Sequence, residues 1–319
     1  MKPHQIKAET GSWTALDSSA EGPSPIPSTV ATTTDRHAQV DGLEIFYREA
    51  GPKSASTIVL LHGFPSSSRH FERLIPLLAT RYHVVAPDFP SFGQSDRPSP
   101  DVYAYTFDQL AKTVDALLEQ LNLNRYTLYL FDYGAPIGYR IILSHPERLH
   151  ALVVQNGNVY DAGLGSKWAK IAEFWADPQS HPDVVDAFLS LEATKQRHLA
   201  GTSHPEAYDP DEWTAEFAHL TQPGQRDIQA ALLYDYRTNV ISYPVWQTWL
   251  RNNKPPTLVV WGANDPSFIA EGALAYRADL PDAEIHLLDA GHFALEEKND
   301  DIARLILDFM ARHPDEATR

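Results

Sequence analysis

Short apolar runs alternate with amphipathic segments along most of the chain. Residues 57–61, 126–131 and 257–261 are nearly unbroken runs rich in β-branched or aromatic side chains, which is typical of parallel strands buried on both faces. Residues 107–121 place apolar side chains three and four positions apart, as an amphipathic helix does. The alternation predicts an α/β protein with a mostly parallel sheet and helices on both faces.

The remaining core elements follow the same pattern. Further strands are predicted at residues 43–47, 82–86, 149–154 and 283–288, and further helices at residues 71–79, 134–144 and 300–312.

Two segments depart from the alternation. Residues 1–36 are rich in Ser, Thr, Pro and Ala without an apolar period, which predicts a disordered or loosely docked N-terminal arm. Residues 157–250 have helical but no strand patterns, with one of the helices predicted at residues 228–240. They are predicted to form a helical cap, inserted into a core made of residues 37–156 and 251–319.

Charge and composition exclude several classes of partner. Lys and Arg number 26 against 42 Asp and Glu, a formal net charge of −16, whereas nucleic acids and anionic membranes attract positive surfaces. The chain has no cysteine, so disulfides, thiolate metal sites and Cys nucleophiles are excluded. There is no apolar run of the ~18 residues that a membrane span needs, and no secretory signal. We therefore expect neither nucleic acid nor membrane as a partner and predict a cytoplasmic location.

Polar side chains follow the predicted strands, where ligands bind in open α/β sheets. Asp132 comes directly after residues 126–131, Asp265 follows residues 257–261, and His292 follows residues 283–288. The chain order of nucleophile, acid and histidine is that of the α/β-hydrolase triad.

Asp132 lies where a strand passes into a helix with no room for a loop. Gly134, two positions on, permits so sharp a turn, and esterases carry their nucleophilic Ser at such an elbow. The alternative is that Asp132 caps the helix N-terminus, where Asp is favoured.

His292 stands in a tight loop after Gly291 and could activate water if its second ring nitrogen were held. Asp265 could hold it, and its alternative role is that of a turn residue before Pro266. The position after residues 149–154 offers Asn156 and no carboxylate, which favours Asp265 as the acid.

The segment His62-Gly63-Phe64-Pro65 is predicted to supply an oxyanion site. The backbone N–H groups of Phe64 and Tyr133 would donate to a developing negative charge. A cis peptide bond is predicted before Pro65, and His62 is expected to brace the loop. Asp88 is predicted to tie neighbouring loops together.

These residues resemble the α/β-hydrolase superfamily, in its branch with an Asp nucleophile, over about residues 38–312. The resemblance rests on His62-Gly63-Phe64-Pro65, the segment at residues 88–95, Asp132-Tyr133-Gly134, Asn264-Asp265-Pro266 and Gly291-His292-Phe293. It implies an eight-stranded α/β-hydrolase fold with a cap. It also implies that Asp132 attacks carbon to form an ester, which water activated by His292 hydrolyses while Asp265 orients His292.

Epoxide hydrolases and haloalkane dehalogenases belong to this branch and differ in how the leaving group is stabilised. The resemblance implies a Trp after the nucleophile in dehalogenases, where this chain has Tyr133, and often an Asn where it has Phe64. Epoxide hydrolases use cap tyrosines, and the motif at residues 233–237 points to Tyr236, with Tyr234 and Tyr243 as competitors and cap packing as the alternative role. Tyr160 could replace the tyrosine that the first cap helix lacks. An epoxide hydrolase is therefore the leading prediction.

The other functions that the sequence leaves open are a haloalkane dehalogenase, a non-catalytic small-molecule receptor and a lyase that uses Asp132 as a base. An aromatic cap, with Trp168 and Tyr243 as candidate substrate contacts, predicts a small apolar or aromatic substrate. No metal and no organic cofactor are predicted, because clustered ligands and phosphate-binding glycine motifs are lacking. A homodimer is compatible with the sequence.

Overall fold

The computed structural model describes residues 31–315. Most of the predicted arm lies outside the described residues. Its boundary at residue 36 needs correction, because the first strand already begins at Thr34. Only Ala38 and Val40 of this strand are buried, so an exposed edge strand left little apolar signal in the sequence.

Eight strands form a single sheet. They are β1 Thr34–Val40, β2 Leu43–Ala50, β3 Thr57–Leu61, β4 His83–Pro87, β5 Tyr126–Phe131, β6 Leu149–Gln155, β7 Thr257–Gly262 and β8 Glu284–Leu288. Their order is β1-β2-β4-β3-β5-β6-β7-β8. The pairs β1–β2 and β2–β4 are antiparallel, and the other neighbours are parallel. The predicted eight-stranded, mostly parallel sheet is confirmed.

The helices are α1 Ile75–Leu78, α2 Phe107–Gln120, α3 Gly134–Ser144, α4 Trp168–Ala176, α5 Pro182–Phe188, α6 Leu191–Leu199, α7 Pro210–Leu220, α8 Gln225–Asp235, α9 Arg237–Asn253, α10 Ala270–Ala275 and α11 Ala294–Arg312. Among residues 31–315, none of them is long and apolar enough to cross a membrane.

Three predicted helices have different bounds. The helix expected at residues 71–79 is reduced to α1, because Pro76 has no amide hydrogen and fits only the first turn of a helix. The helix expected at residues 228–240 divides into α8 and α9 at Tyr236. The last helix begins at Ala294 rather than near residue 300, and its backbone leaves helical geometry at Lys298.

Both faces of the sheet are covered. Val59 and Leu61 of β3 point into the core beneath α2 and α3, whereas Ile58 and Leu60 point into the core beneath α11. Alternate residues of a strand face opposite sides, so an unbroken apolar strand serves both cores. The carboxyl ends of the parallel strands thereby form a rigid edge that carries the polar residues.

Helices α4 to α9 lie between β6 and β7, and His198 of α6 ties them to the core. Its Nδ1 is 2.6 Å from a carboxylate oxygen of Glu296 in α11, and its Nε2 is 2.7 Å from one of Glu216 in α7. Burial alone would lower the pKa of His198, but the two glutamates outweigh it and raise that pKa to about 10. The ring also stacks on Phe293 at 4.1 Å, directly beside His292.

Replacing His198 with Ala leaves two carboxylates without their cation, and we expect a loss of about 3–5 kcal/mol in the free energy of unfolding. Because the folded-state pKa lies above the ordinary 6.5, this stabilisation is fully present below about pH 6.5 and is lost as pH rises toward 10. Urea unfolding at pH 6.5 and 9.5 measures both effects. The exposed pair His204–Glu206 is the control, since His204→Ala should change stability by less than about 0.5 kcal/mol. An equal effect of the two substitutions would contradict the prediction.

Candidate active site

Asp132 occupies a sharp turn between β5 and α3. Its φ is 47°, a left-handed conformation that is uncommon for a residue other than glycine and is best tolerated by Asn and Asp. A side chain at Gly134 would meet the Leu61 carbonyl at 2.2 Å, and one at Gly63 would meet Asp132 Cβ at 2.3 Å. Close backbone approach at these two glycines therefore positions the Asp132 carboxyl above the edge of the sheet.

The structure brings the three predicted strand-end residues together. Oδ2 of Asp132 is 3.5 Å from Nε2 of His292, and Nδ1 of His292 is 2.6 Å from Oδ2 of Asp265. All three side chains are buried. The arrangement places an imidazole between two carboxylates, one of which faces a cavity.

Asp265 is held by residues that the sequence analysis did not assign to the site. Its Oδ2 also accepts a hydrogen bond from Asn156 Nδ2 at 2.8 Å, and its Oδ1 accepts one from the Ser267 N–H at 2.6 Å. Asn156 has a φ of 44° and follows β6, so its place at a strand end was the available signal. Its amide orients the acid rather than replacing it.

The charges of Asp132, Asp265 and His292 influence one another. Burial alone would lower the pKa of His292, but Asp265 and Asp132 raise it to about 9. Burial would likewise raise the pKa of Asp265, and His292 more than offsets this, so that the pKa of Asp265 is lowered. At neutral pH the resting site therefore holds an imidazolium between two carboxylates.

The loop after β3 contacts the other oxygen of Asp132. The Phe64 N–H donates to Asp132 Oδ1 at 2.7 Å, and the Phe64–Pro65 bond is cis, as predicted. His62 lies behind this loop, where its Nε2 accepts from the Phe89 N–H at 3.1 Å and its ring stacks on Phe89 at 3.9 Å. The Phe64 N–H thus contacts the Asp132 carboxyl group, and His62 braces the loop.

Asp132 opens into a small cavity of about 30 Å³ between core and cap, here called the inner cavity. It is lined by Phe64, Asp132, Tyr133, Lys167, Trp168, Ile171, Phe188, Arg197, Leu233, Ser267, Phe268 and His292. An adjoining outer cavity of about 330 Å³ shares six of these residues, Lys167, Ile171, Phe188, Arg197, Ser267 and His292. The inner cavity has room for a compact group, and the outer cavity has room for a larger one.

Two of the predicted site residues, Tyr236 and Tyr243, lie behind the wall of the inner cavity. The Tyr236 ring packs against Tyr133 at 5.9 Å and Trp168 at 4.6 Å, and its hydroxyl is hydrogen-bonded to that of Tyr243. The Tyr133 hydroxyl is buried and has no hydrogen-bond partner among the described residues. Tyr133 is therefore the tyrosine that lines the cavity with an uncommitted hydroxyl.

The other two cap tyrosines considered from the sequence are engaged elsewhere. The Tyr160 hydroxyl donates to Asp279 at 2.9 Å, and the Tyr234 ring lies 3.6 Å from the guanidinium of Arg237.

Trp168 and Trp175 of α4 both have their indole N–H groups bonded to backbone carbonyls. Trp168 lines the inner cavity, but its indole N–H donates to the Ser267 carbonyl at 2.9 Å. The Trp175 N–H donates to the Leu233 carbonyl at 2.7 Å. Neither N–H is therefore directed at a leaving group.

Two cationic residues of the inner cavity, Lys167 and Arg197, were missed by the sequence analysis. Lys167 precedes α4 and Arg197 lies on α6, and both segments also carry exposed charges. Lys167 is exposed and Arg197 is half-buried, and no local pattern distinguishes a cation that reaches a cavity from a fully solvated one. Only the packing of the cap therefore reveals them.

Within residues 31–315 one side-chain cluster has metal-binding spacing, formed by Asp115, Glu119 and His145. Arg148 pairs with both of its carboxylates at 3.2 and 2.8 Å, and no triad residue belongs to it. The cluster is a surface ion-pair network.

Comparison of the chain with known proteins agrees with this architecture. A family model described as alpha/beta hydrolase fold matches residues 56–299. The uncharacterised hydrolase YNR064C of Saccharomyces cerevisiae is 41% identical over 278 residues, which span 86% of this chain and 95% of that protein. A haloalkane dehalogenase of Psychrobacter cryohalolentis is 28% identical over 85% of this chain and 89% of its own length. The solved structure of the epoxide hydrolase CorEH shares the fold with a TM-score of 0.71 and 19% identity, covering 88% of this chain and 99% of that one.

Proposed function

The chain belongs to the α/β-hydrolase family, and we propose that it is an epoxide hydrolase that works through an ester on Asp132. One observation carries the proposal. Asp132 presents one carboxyl oxygen to the Phe64 N–H and the other toward His292, in a cavity that is also lined by Tyr133, whose hydroxyl is buried and unpartnered among the described residues. A nucleophile, a base and a proton donor thus meet at one small space.

In the first step Oδ2 of Asp132 attacks an oxirane carbon, and the bond from that carbon to the ring oxygen breaks. The ring oxygen takes a proton from Tyr133, which lines the cavity, with Tyr236 directly behind it. Burial raises the pKa of both tyrosines, so each hydroxyl keeps its proton until an alkoxide develops beside it. The product of this step is an alkyl ester of Asp132.

In the second step water attacks the ester carbonyl carbon and gives a proton to Nε2 of His292. Esterification has removed one of the two negative charges beside the imidazole, so the pKa of His292 falls. The proton that His292 then loses restores the hydroxyl of Tyr133, and the neutral ring can act as a base. The Phe64 N–H stabilises the tetrahedral oxyanion at Oδ1. Its collapse releases the alkoxide, which takes the proton from His292 and leaves as a vicinal diol. The remaining proton on the Asp132 carboxyl group passes to His292, which restores the carboxylate and the resting imidazolium.

A haloalkane dehalogenase is the second candidate, because a relative with 28% identity has that name. The same ester would form, but a halide needs donors, and the N–H groups of Trp168 and Trp175 are bonded to backbone carbonyls. Halide release from 1-chlorobutane and 1-bromobutane, compared with diol formation from styrene oxide, separates the two activities. Halide release as the dominant activity would replace the first proposal with the second.

Isotope labelling tests the ester mechanism itself. In a single turnover in H₂¹⁸O with enzyme in excess, we expect ¹⁸O to enter the side chain of Asp132 and the diol to remain unlabelled. Peptide mass spectrometry locates the label. Label in the diol alone would mean direct attack by water, and no turnover with any epoxide or haloalkane would favour a receptor.

Tyr133→Phe removes only the uncommitted hydroxyl. We expect kcat/KM for styrene oxide to fall by about 10²- to 10⁴-fold, the usual contribution of a positioned acid, while the rate of ester hydrolysis changes little. Rapid-quench kinetics separates the two steps. Tyr103→Phe, at a buried hydroxyl bonded to Thr113, is the control, and equal losses in the two variants would contradict the role of Tyr133.

A further inference from the structure

The inner cavity contains more positive than negative charge. Its ionisable lining groups other than Tyr133 are Asp132, Lys167, Arg197 and His292. With Asp265, which is bonded to His292, there are three cationic groups and two carboxylates, a local net charge of +1. A site built for a neutral substrate has no need of this excess.

Arg197 is held rigidly with one donor group unused. Its guanidinium lies 4.7 Å from the ring centroid of Phe64 and 4.4 Å from that of Phe188, and its Nη2 donates to the Phe188 carbonyl at 2.6 Å. Nη1 is buried and has no hydrogen-bond partner among the described residues. A buried, unpaired donor on a charged group is costly, and an acceptor supplied by a ligand would remove that cost.

Lys167, an exposed residue just before α4, lines the same two cavities. Its Nζ donates to the Ser267 hydroxyl, and one such bond leaves two of its three N–H donors. Loss of water around the ammonium lowers the pKa of Lys167 to about 8, and burial lowers that of Arg197 to about 10. Both groups therefore remain cationic at pH 7.

A glutamate that acts electrostatically on Arg197 makes no ion pair with it. Glu216 contributes to the electrostatics of Arg197, but one of its oxygens is bonded to His198 at 2.7 Å. The other charged groups that line the outer cavity are Asp183 and Lys170, whose opposite charges sum to zero. Lys167 and Arg197 line both cavities, so they mark the boundary between them.

We propose that the substrate carries a carboxylate next to its electrophilic carbon, held between Arg197 and Lys167. The inner cavity of about 30 Å³ holds a group of about two water-sized atoms, which suits an oxirane carbon whose carboxylate reaches the boundary. The two cations also reduce the repulsion between this carboxylate and the attacking carboxylate of Asp132. The proposal rests on the ester mechanism above and names its substrate class, a 2,3-epoxy carboxylate.

Glycidate and glycidamide provide the test, because they differ mainly in charge. We expect the wild-type enzyme to favour glycidate in kcat/KM by at least about 10-fold. Arg197→Gln should lower kcat/KM for glycidate by about 10- to 100-fold, as loss of a hydrogen bond to a charged group does, with less than about 3-fold change for glycidamide. Arg197→Lys, which keeps the charge, should retain part of the preference, and Lys167→Gln should lose part of it.

Lys195→Gln is the matched control, since Lys195 lies on the same helix and lines neither cavity. It should leave the preference for glycidate unchanged, and circular dichroism melting of every variant tests whether the fold is retained. A wild-type preference for glycidamide, or equal losses for both substrates in Arg197→Gln, would overturn the proposal.

Ester trapping distinguishes failure of this proposal from failure of the proposed function. In a His292→Gln background, intact mass measures ester formation from glycidate, glycidamide and styrene oxide. Faster trapping of glycidate supports both conclusions. An ester from a neutral epoxide but none from glycidate overturns the carboxylate proposal alone, and no ester from any of the three overturns the mechanism as well.

Discussion

Asp132→Asn is expected to lower kcat for the best epoxide by at least about 10⁴-fold, on the scale of triad knockouts in other hydrolases. The amide has nearly the same shape as the carboxylate and, like Asp, tolerates the φ of 47° at this position. The fold should therefore be preserved while the nucleophile is lost. Steady-state diol formation and thermal unfolding measure the two properties separately.

The same variant tests the electrostatic coupling of the site. Removing the charge of Asp132 takes away one of the two carboxylates that raise the pKa of His292 to about 9. We expect that pKa to fall by about 1 to 3, as loss of a neighbouring opposite charge does. NMR titration of the histidine ring protons measures it, with His292→Gln to assign the signal.

Asp101→Asn, at an exposed loop position, is the control for both measurements. It should leave kcat and the His292 pKa unchanged. Retention of full activity by Asp132→Asn would mean that water or another group performs the attack. An unchanged pKa would mean that Asp132 and His292 do not interact as their distance of 3.5 Å indicates.

The proximity of Asp132, Asp265 and His292 could be predicted from the sequence because parallel strands align their carboxyl ends. Asp132, Asp265 and His292 stand 27 to 160 positions apart in the chain, yet each directly follows a strand or its turn. The sheet order β5-β6-β7-β8 makes these ends neighbours. Strand patterns and the rule for ligand sites in α/β sheets were therefore sufficient to bring the three together.

The cap could not be predicted to the same depth. Its helices follow from their apolar spacing, but which polar side chains point inward depends on how six helices pack on the core. Arg197 is separated by one residue from Lys195, and only Arg197 lines the cavities. Tyr133 was assigned to the oxyanion site through its backbone, and its hydroxyl became important only when the cavity wall was known.

The small apolar or aromatic substrate predicted from the aromatic cap stays a prediction, and the proposed carboxylate substrate differs from it for the same reason. Trp168 and Phe268 do line the inner cavity, but so do Lys167 and Arg197. The composition of the cap gives the number of aromatic side chains but not the positions of the two cations. The aromatic rings of Phe64 and Phe188 serve in part to hold a guanidinium.

His292→Gln should uncouple the two chemical steps. Asp132 and the tyrosine hydroxyl remain, so the ester should still form, whereas its hydrolysis should slow by at least about 10⁴-fold without the base. Intact mass spectrometry of the variant mixed with styrene oxide should show one added equivalent of substrate, and digestion should place it on Asp132. The double variant Asp132→Asn/His292→Gln should acquire no mass.

Asp265→Asn is expected to slow ester hydrolysis less than His292→Gln does. His292 would keep its ring but lose the carboxylate bonded to Nδ1 at 2.6 Å. The ester should accumulate transiently and then decay. His37→Gln, on an exposed edge strand, should turn over without accumulation of the ester and serves as the control.

If His292→Gln hydrolysed the ester at the wild-type rate, the base would have to be another group. A second outcome is that His292→Gln forms no ester although Asp132 reacts in the wild type. His292 would then be required for the attack, and a base-catalysed lyase reaction through the Asp132–His292 pair would become the better account.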